Sequence, residues 1–215
     1  MVLWICSGLF IVRFRSAIIQ DIEGMHAAGL ATMAYYYFDF RDVKKQDSYG
    51  LVSSLISQLS ARSDSCFNIL SQLYSENDRG IQKPDVDELK KCMTDMLSLP
   101  GQAPIYIVVD GLDECPNSSG TPSAREEVLE LIQELVDLNL PNLHLCVASR
   151  PEMDIRMMLE PLTSLRISLH DEGGQKEDII AYIKSVVHSD REMRRWREED
   201  QNLVIDTLSQ NADGM

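Results

Sequence analysis

Three carboxylates, Asp110, Asp113 and Glu114, close an apolar run that reads I-Y-I-V-V-D-G-L-D-E-C from Ile105 to Cys115. Acids crowded at one point repel one another, and a divalent cation with phosphate oxygens opposite is the usual remedy. A second apolar run, L-H-L-C-V-A, ends in Ser149-Arg150-Pro151. One carboxylate can hold Mg²⁺ through water and another can orient an attacking water. A guanidinium from a neighbouring strand can neutralise charge on a terminal phosphate. Each piece alone has a plainer explanation: an acidic surface turn, or an arginine in a surface salt bridge. Taken together at the ends of successive strands, they point to metal and phosphate chemistry.

That chemistry requires a particular scaffold. Apolar runs without alternation fit strands covered on both faces, the habit of parallel sheets in α/β domains. In such sheets ligands bind beyond the carboxyl ends of the strands. The expected strands are Val2 to Cys6, Met33 to Phe40, the run from Ile105, Asn142 to Ser149, and Leu165 to Leu169. A further β-prone run covers Leu9 to Phe14. Helices are expected at Ser16 to Met25, Tyr49 to Ser60, Phe67 to Tyr74, from Pro84-Asp85, Ser123 to Leu138 and Asp154 to Leu159. Asp85 with Glu88 resembles a capping box, and Pro100-Gly101 stops that helix. The loop from Pro116 to Pro122 has an exposed composition. This alternation predicts an α/β fold, a doubly wound and mostly parallel five-stranded sheet. From Asp171 the character changes to helices at Gln175 to Val187 and Glu199 to Gln210, with no further strand. Residues 1–170 therefore read as the core, and 171–215 as a helical appendage that is incomplete as it stands.

Composition narrows the options. The 215 residues suit one domain with a small attachment, and 44% hydrophobic with 25% charged residues is ordinary for a folded chain. A net charge of −14 and a pI near 4.6 argue against a general nucleic-acid or anionic-membrane surface. Any bound nucleoside phosphate would need Mg²⁺ or local positive charge. The five cysteines, Cys6, Cys66, Cys92, Cys115 and Cys146, lack C-x-x-C spacing and read as reduced, buried thiols. Met1 to Phe14 is too short to span a bilayer, and no cleavage pattern follows it. The four histidines have no ligand spacing. Tyr35 to Tyr37 reads as core, and the Arg194 to Arg197 cluster, flanked by acids, as a solvated helix face.

I-V-V-D-G-L-D-E-C followed by V-A-S-R-P-E-M-D-I resembles the extended acidic (Walker B) motif and arginine sensor of NACHT-type STAND P-loop NTPases. The similarity is greatest to the fungal group with a nephrocystin-like amino-terminal NACHT domain. Y-Y-Y-F-D-F-R-D, L-V-S-S-L-I-S-Q-L, D-I-I-A-Y-I-K and M-R-R-W resemble that group too, so the likeness runs from about Ser16 to the end. The resemblance implies that Asp110 binds Mg²⁺, Asp113 and Glu114 serve hydrolysis, and Arg150 senses the γ-phosphate of ATP or GTP. It also implies a cytoplasmic, nucleotide-dependent signalling switch linked to non-self recognition. Its partners would be copies of itself or sister receptors, with neither nucleic acid nor membrane. Residues 171–215 would begin a helical lid domain, truncated here.

One departure stands out. Such domains place a phosphate-cradling loop, G-x-x-x-x-G-K-[ST], between first strand and first helix. Here that stretch reads S-G-L-F-I-V-R-F-R, with one glycine, Gly8, and no lysine before Lys44. Backbone amides wrap a phosphate only where side chains are absent and φ is free. Leu9 to Val12 offer the reverse, and Arg13 or Arg15 could supply charge but no nest of amides. Nucleotide binding is therefore expected to be impaired. Two alternatives are a non-catalytic protein-interaction scaffold and a degenerate gene-model fragment.

Overall fold

The computed structural model describes residues 1–6, 20–117, 122–168 and 174–211. Five strands form one sheet: β1 (Val2–Cys6), β2 (Thr32–Tyr37), β3 (Ile105–Asp110), β4 (Leu143–Ser149) and β5 (Leu165–Ser168). Their spatial order is β2-β3-β4-β1-β5, and every pairing among them is parallel. The expected doubly wound α/β sheet is present. From β1 the chain passes to β2 at the far edge, returns through β3 and β4, and then crosses to β5. At the neighbouring ends of β1 and β4 it therefore departs in opposite directions, which opens the kind of crevice where α/β sheets bind ligands. Cys6 is in register with Ser149, and Asp110 with Ala148.

Strand periodicity divides the core in two. Val2, Trp4, Cys6, Ala34, Tyr36, Ile105, Ile107, Val109, Leu143, Leu145 and Val147 face one side, in a large cluster. The helices that complete it are α2 (Ser48–Ser60), α3 (Asp64–Glu76), α4 (Val86–Leu97), α5 (Ala124–Asp137) and α6 (Met153–Leu159). Ile5, Met33, Val108, Cys146 and Ala148 face the other side and meet Ile22 of α1 (residues 20–27) in a smaller cluster. The expected β-run at Leu9 to Phe14 and the helix start at Ser16 lie outside the described residues, as does part of the Pro116 to Pro122 loop.

Local chemistry explains the boundaries. The Asp47 side chain caps α2 by accepting from the Gly50 amide, and Leu51, Val52, Leu55, Ile56 and Leu59 carry its buried stripe. The expected capping box at Asp85 and Glu88 opens α4, and Ser123 with Glu126 forms a second one at α5. Ser63 caps α3, which starts before the expected Phe67 because it opens with the polar pair Asp64 and Ser65. The loop after β2 packs tightly over the first turn of α2. A side chain at Gly50 would place a Cβ 2.6 Å from the Lys44 carbonyl oxygen and 2.8 Å from the Tyr36 hydroxyl.

At Tyr35 the outer edge of β2 is met by a side chain. Gln58 of α2 accepts from the Tyr35 amide (3.0 Å) and donates to the Tyr35 carbonyl (2.7 Å). Beyond β5, α7 (Gly174–Ser189) and α8 (Glu198–Asn211) pack against each other, with Val187 and Ile205 buried. Val187 is buried while its neighbour Val186 is 38% exposed, since adjacent helical positions diverge by about 100°. Among the described residues no helix is long and apolar enough to cross a membrane.

Candidate functional site

Strand β3 delivers Asp110 to the carboxyl edge of the sheet, 1% exposed and on the same face as Val108. The chain then turns sharply at Gly111, which adopts φ +68°. A Cβ there would stand 3.2 Å from the Phe38 carbonyl oxygen, so the position favours glycine on two counts. Leu112–Glu114 forms one turn of 3-10 helix. That turn sends the three acids in different directions.

Asp113 points toward β4. Its Oδ1 accepts from the Arg150 amide at 2.9 Å, and its Oδ2 lies 3.4 Å from Arg150 Nε. Glu114 points the other way, toward β2, where its Oε2 accepts from the Phe40 amide at 3.2 Å. Asp110 stays beneath, in the sheet. The acids that adjoin in sequence thus do not converge as a cage. Among the described residues no group of three or more histidines, cysteines and acids could by itself hold a metal ion. A magnesium ion needs no such cage where phosphate oxygens and water complete its octahedron, and one or two carboxylates suffice.

Asp110 and Arg150 lie on the same rim, since β3 and β4 are adjacent and parallel and Arg150 follows two residues after Ala148. Ser149 is fully buried and accepts from Trp4 Nε1 at 3.0 Å, so it joins β1 to β4 and is turned away from solvent. The Arg150 side chain is 63% exposed, and among the described residues its ion pair is with Asp113.

A residue that the motifs did not reveal ties these loops together. Arg125, in the first turn of α5, is 5% exposed. Its Nε donates to the Cys115 carbonyl (2.9 Å) and its Nη2 to the Asp113 carbonyl (2.7 Å). Its Nη1 donates to Glu152 and, at 3.1 Å, to Asp154 Oδ2. Burial works against its charge, but these two carboxylates outweigh burial and raise its pKa above the ordinary arginine value. Asp154 also accepts from Asn117 (2.8 Å), which in turn accepts from the Ser123 hydroxyl (3.0 Å). One sequence signal did exist. A cation in a first helical turn opposes the macrodipole, and Arg125 stands there because its partners are elsewhere. Beside it the Cys115 thiol, pushed up to about 12 chiefly by burial, donates to the Gln46 carbonyl at 3.2 Å.

The five-stranded parallel sheet, with an acidic strand end beside an arginine-bearing one, is an α/β domain, and the family match supports a NACHT-like domain of the P-loop NTPase type. The chain belongs to the nephrocystin 3 N-terminal family, whose model matches residues 14–150, more than half of its length. The stretch from Ser7 to Arg13 stands ahead of the matched residues. No curated protein matches the chain. Among solved structures it is similar to the ORC1 protein of Aeropyrum pernix in complex with DNA, with 15% identity and a TM-score of 0.49. The similarity covers 97% of this chain and 52% of that one, so the chain spans about half the length of that protein.

Proposed function

We propose that this chain is a cytoplasmic NACHT-type signalling domain, of the kind linked to fungal non-self recognition, in which nucleotide binding is severely weakened. The observation that carries this reading is the arrival of Asp110, Asp113 and Arg150 on one rim of the sheet, beside the crevice at β1 and β4. On that side the residues fit a nucleotide with Mg²⁺. Asp110 would hold the ion together with phosphate oxygens and water, Asp113 would orient water, and Arg150 would meet the terminal phosphate, while Glu114, turned toward the Phe40 amide, stands off this set. The other side does not fit. The stretch from Ser7 to Arg15 holds one glycine, and the chain has no lysine before Lys44, so it supplies neither the amide nest nor the ammonium that cradles phosphates.

Titration with Mg²⁺ and a labelled ATP or GTP analogue tests the reading. No saturation in the micromolar range is expected. Micromolar binding that Asp110→Ala abolishes would show that the glycine-poor stretch costs nothing, and would overturn it.

A second reading, a scaffold that pairs with sister receptors without hydrolysis, draws support from the apolar side chains in the loops and helix that follow β2 and β4. Phe40, Val43, Met153 and Met157 are 67%, 79%, 73% and 69% exposed. Co-purification with a full-length relative in the absence of nucleotide would favour it. A chain that stays monomeric in such a mixture would count against it.

A further inference from the structure

Two arginines bridge the same pair of loops, one from inside and one from outside. The inner one, Arg125, holds two carbonyls of the β3 turn and two carboxylates at the start of α6. The outer one, Arg150, belongs to the β4 loop and reaches back to the Asp113 side chain. Glu152 is the residue before α6, and Asp154 lies in its first turn, so both stand within four residues of Arg150. The guanidinium fork of Arg125 therefore sets how far the β3 turn stands from the segment that carries Arg150.

We infer that Arg125 is a positioning residue, which fixes the Asp113 carboxylate so that it can hold Arg150 at the sheet rim. Charge alone cannot do this. The carbonyls of Asp113 and Cys115 and the two carboxylates lie in different directions, and only a planar group with five divergent donors reaches all four. Of the Asp113–Arg150 pair, Asp113 is then the immobile member: its backbone is clamped and its side chain is 10% exposed. Arg150 is the member that can move. This concerns the chain's own loops and stands apart from whether nucleotide binds.

The test is amide hydrogen exchange, read residue by residue by NMR on the full chain. The Arg150 amide, which donates to Asp113 Oδ1, reports the latch. The amides of Val108 and Val147 report the sheet. Arg125→Lys keeps the charge and loses the fork, and it should speed exchange at Arg150 by about tenfold while Val108 and Val147 change less than about twofold. A purely structural role predicts the same acceleration at all three, and that result would overturn the inference, as would no change at Arg150. Should Arg125→Lys fail to fold, Glu152→Gln with Asp154→Asn removes the charged half of the clasp from its half-exposed side. Selective loss at Arg150 in that double variant supports the inference, and uniform or absent loss overturns it.

Discussion

Among the described residues, the two faces of the sheet are packed to different depths. One carries five helices and a continuous apolar cluster that runs from Val2 to Leu159. The other shows six buried apolar residues among those described, with Leu3, Tyr35 and Tyr106 half-buried at its margin. Both faces come from the same strands, residue by alternating residue, so sequence hydrophobicity does not separate them. What differs, among the described residues, is how many helices lie against each face, and hence how far a gap can close when atoms are removed. The candidate site straddles this divide. Asp110 belongs to the thin face, while Ser149 and the Arg125 clasp belong to the thick one.

The largest effect should come from truncation on matched strands. Ile107→Ala on the thick face should cost about 4 kcal/mol in urea unfolding, and Ile5→Ala on the thin face about 2 kcal/mol, because looser surroundings collapse into the gap. Equal costs would erase the distinction. Next, Gly50→Ala should destabilise by about 2 kcal/mol, since the new methyl meets the Lys44 carbonyl, a backbone atom that cannot swing aside. A neutral result would mean that the loop between β2 and α2 is free to lift.

Thiol chemistry sharpens the same contrast. Burial pushes both Cys115 and Cys146 up to about 12, so neither is a thiolate at neutral pH. Local opening of the thin face should expose Cys146 about tenfold faster than Cys115 to a maleimide, read by mass spectrometry of peptides. The smallest effect is with pH. His144 lies on the thin face, stacked on Tyr106 with ring centroids 4.7 Å apart. Burial, and then the nearby amino-terminal charge, holds its pKa below the ordinary 6.5. The unfolded chain therefore takes up this proton first as pH falls. Stability from this residue is complete above pH 6.5 and declines below it. His144→Phe should flatten the unfolding midpoint across that range.

What could be read from the residue string follows from how local each cause is. The strands at Val2, Ile105 and Asn142, and the capping box at Asp85, rest on neighbours within a few positions, and they stand where expected. The parallel sheet followed from unalternating apolar runs. The order of strands did not, because it depends on contacts between residues over a hundred positions apart, such as Trp4 with Ser149. At the site, Asp110 and Arg150 were legible because they end apolar strands. The divergence of Asp113 and Glu114 was not, since the left-handed Gly111 and a single 3-10 turn decide it. Arg125 escaped notice because its four partners come from two separate stretches, one on either side of it in the chain.

A last consequence lies at the edge of β2. In a parallel ladder every second residue aims both of its backbone groups outward, and at Tyr35 those groups meet the Gln58 amide, which imitates the next strand. Replacing Gln58 with leucine would uncover a ready template there, and self-recruitment through added strands, a route to fibres, would begin at that border. The Gln58 carboxamide thus acts as a guard against polymerisation at Tyr35.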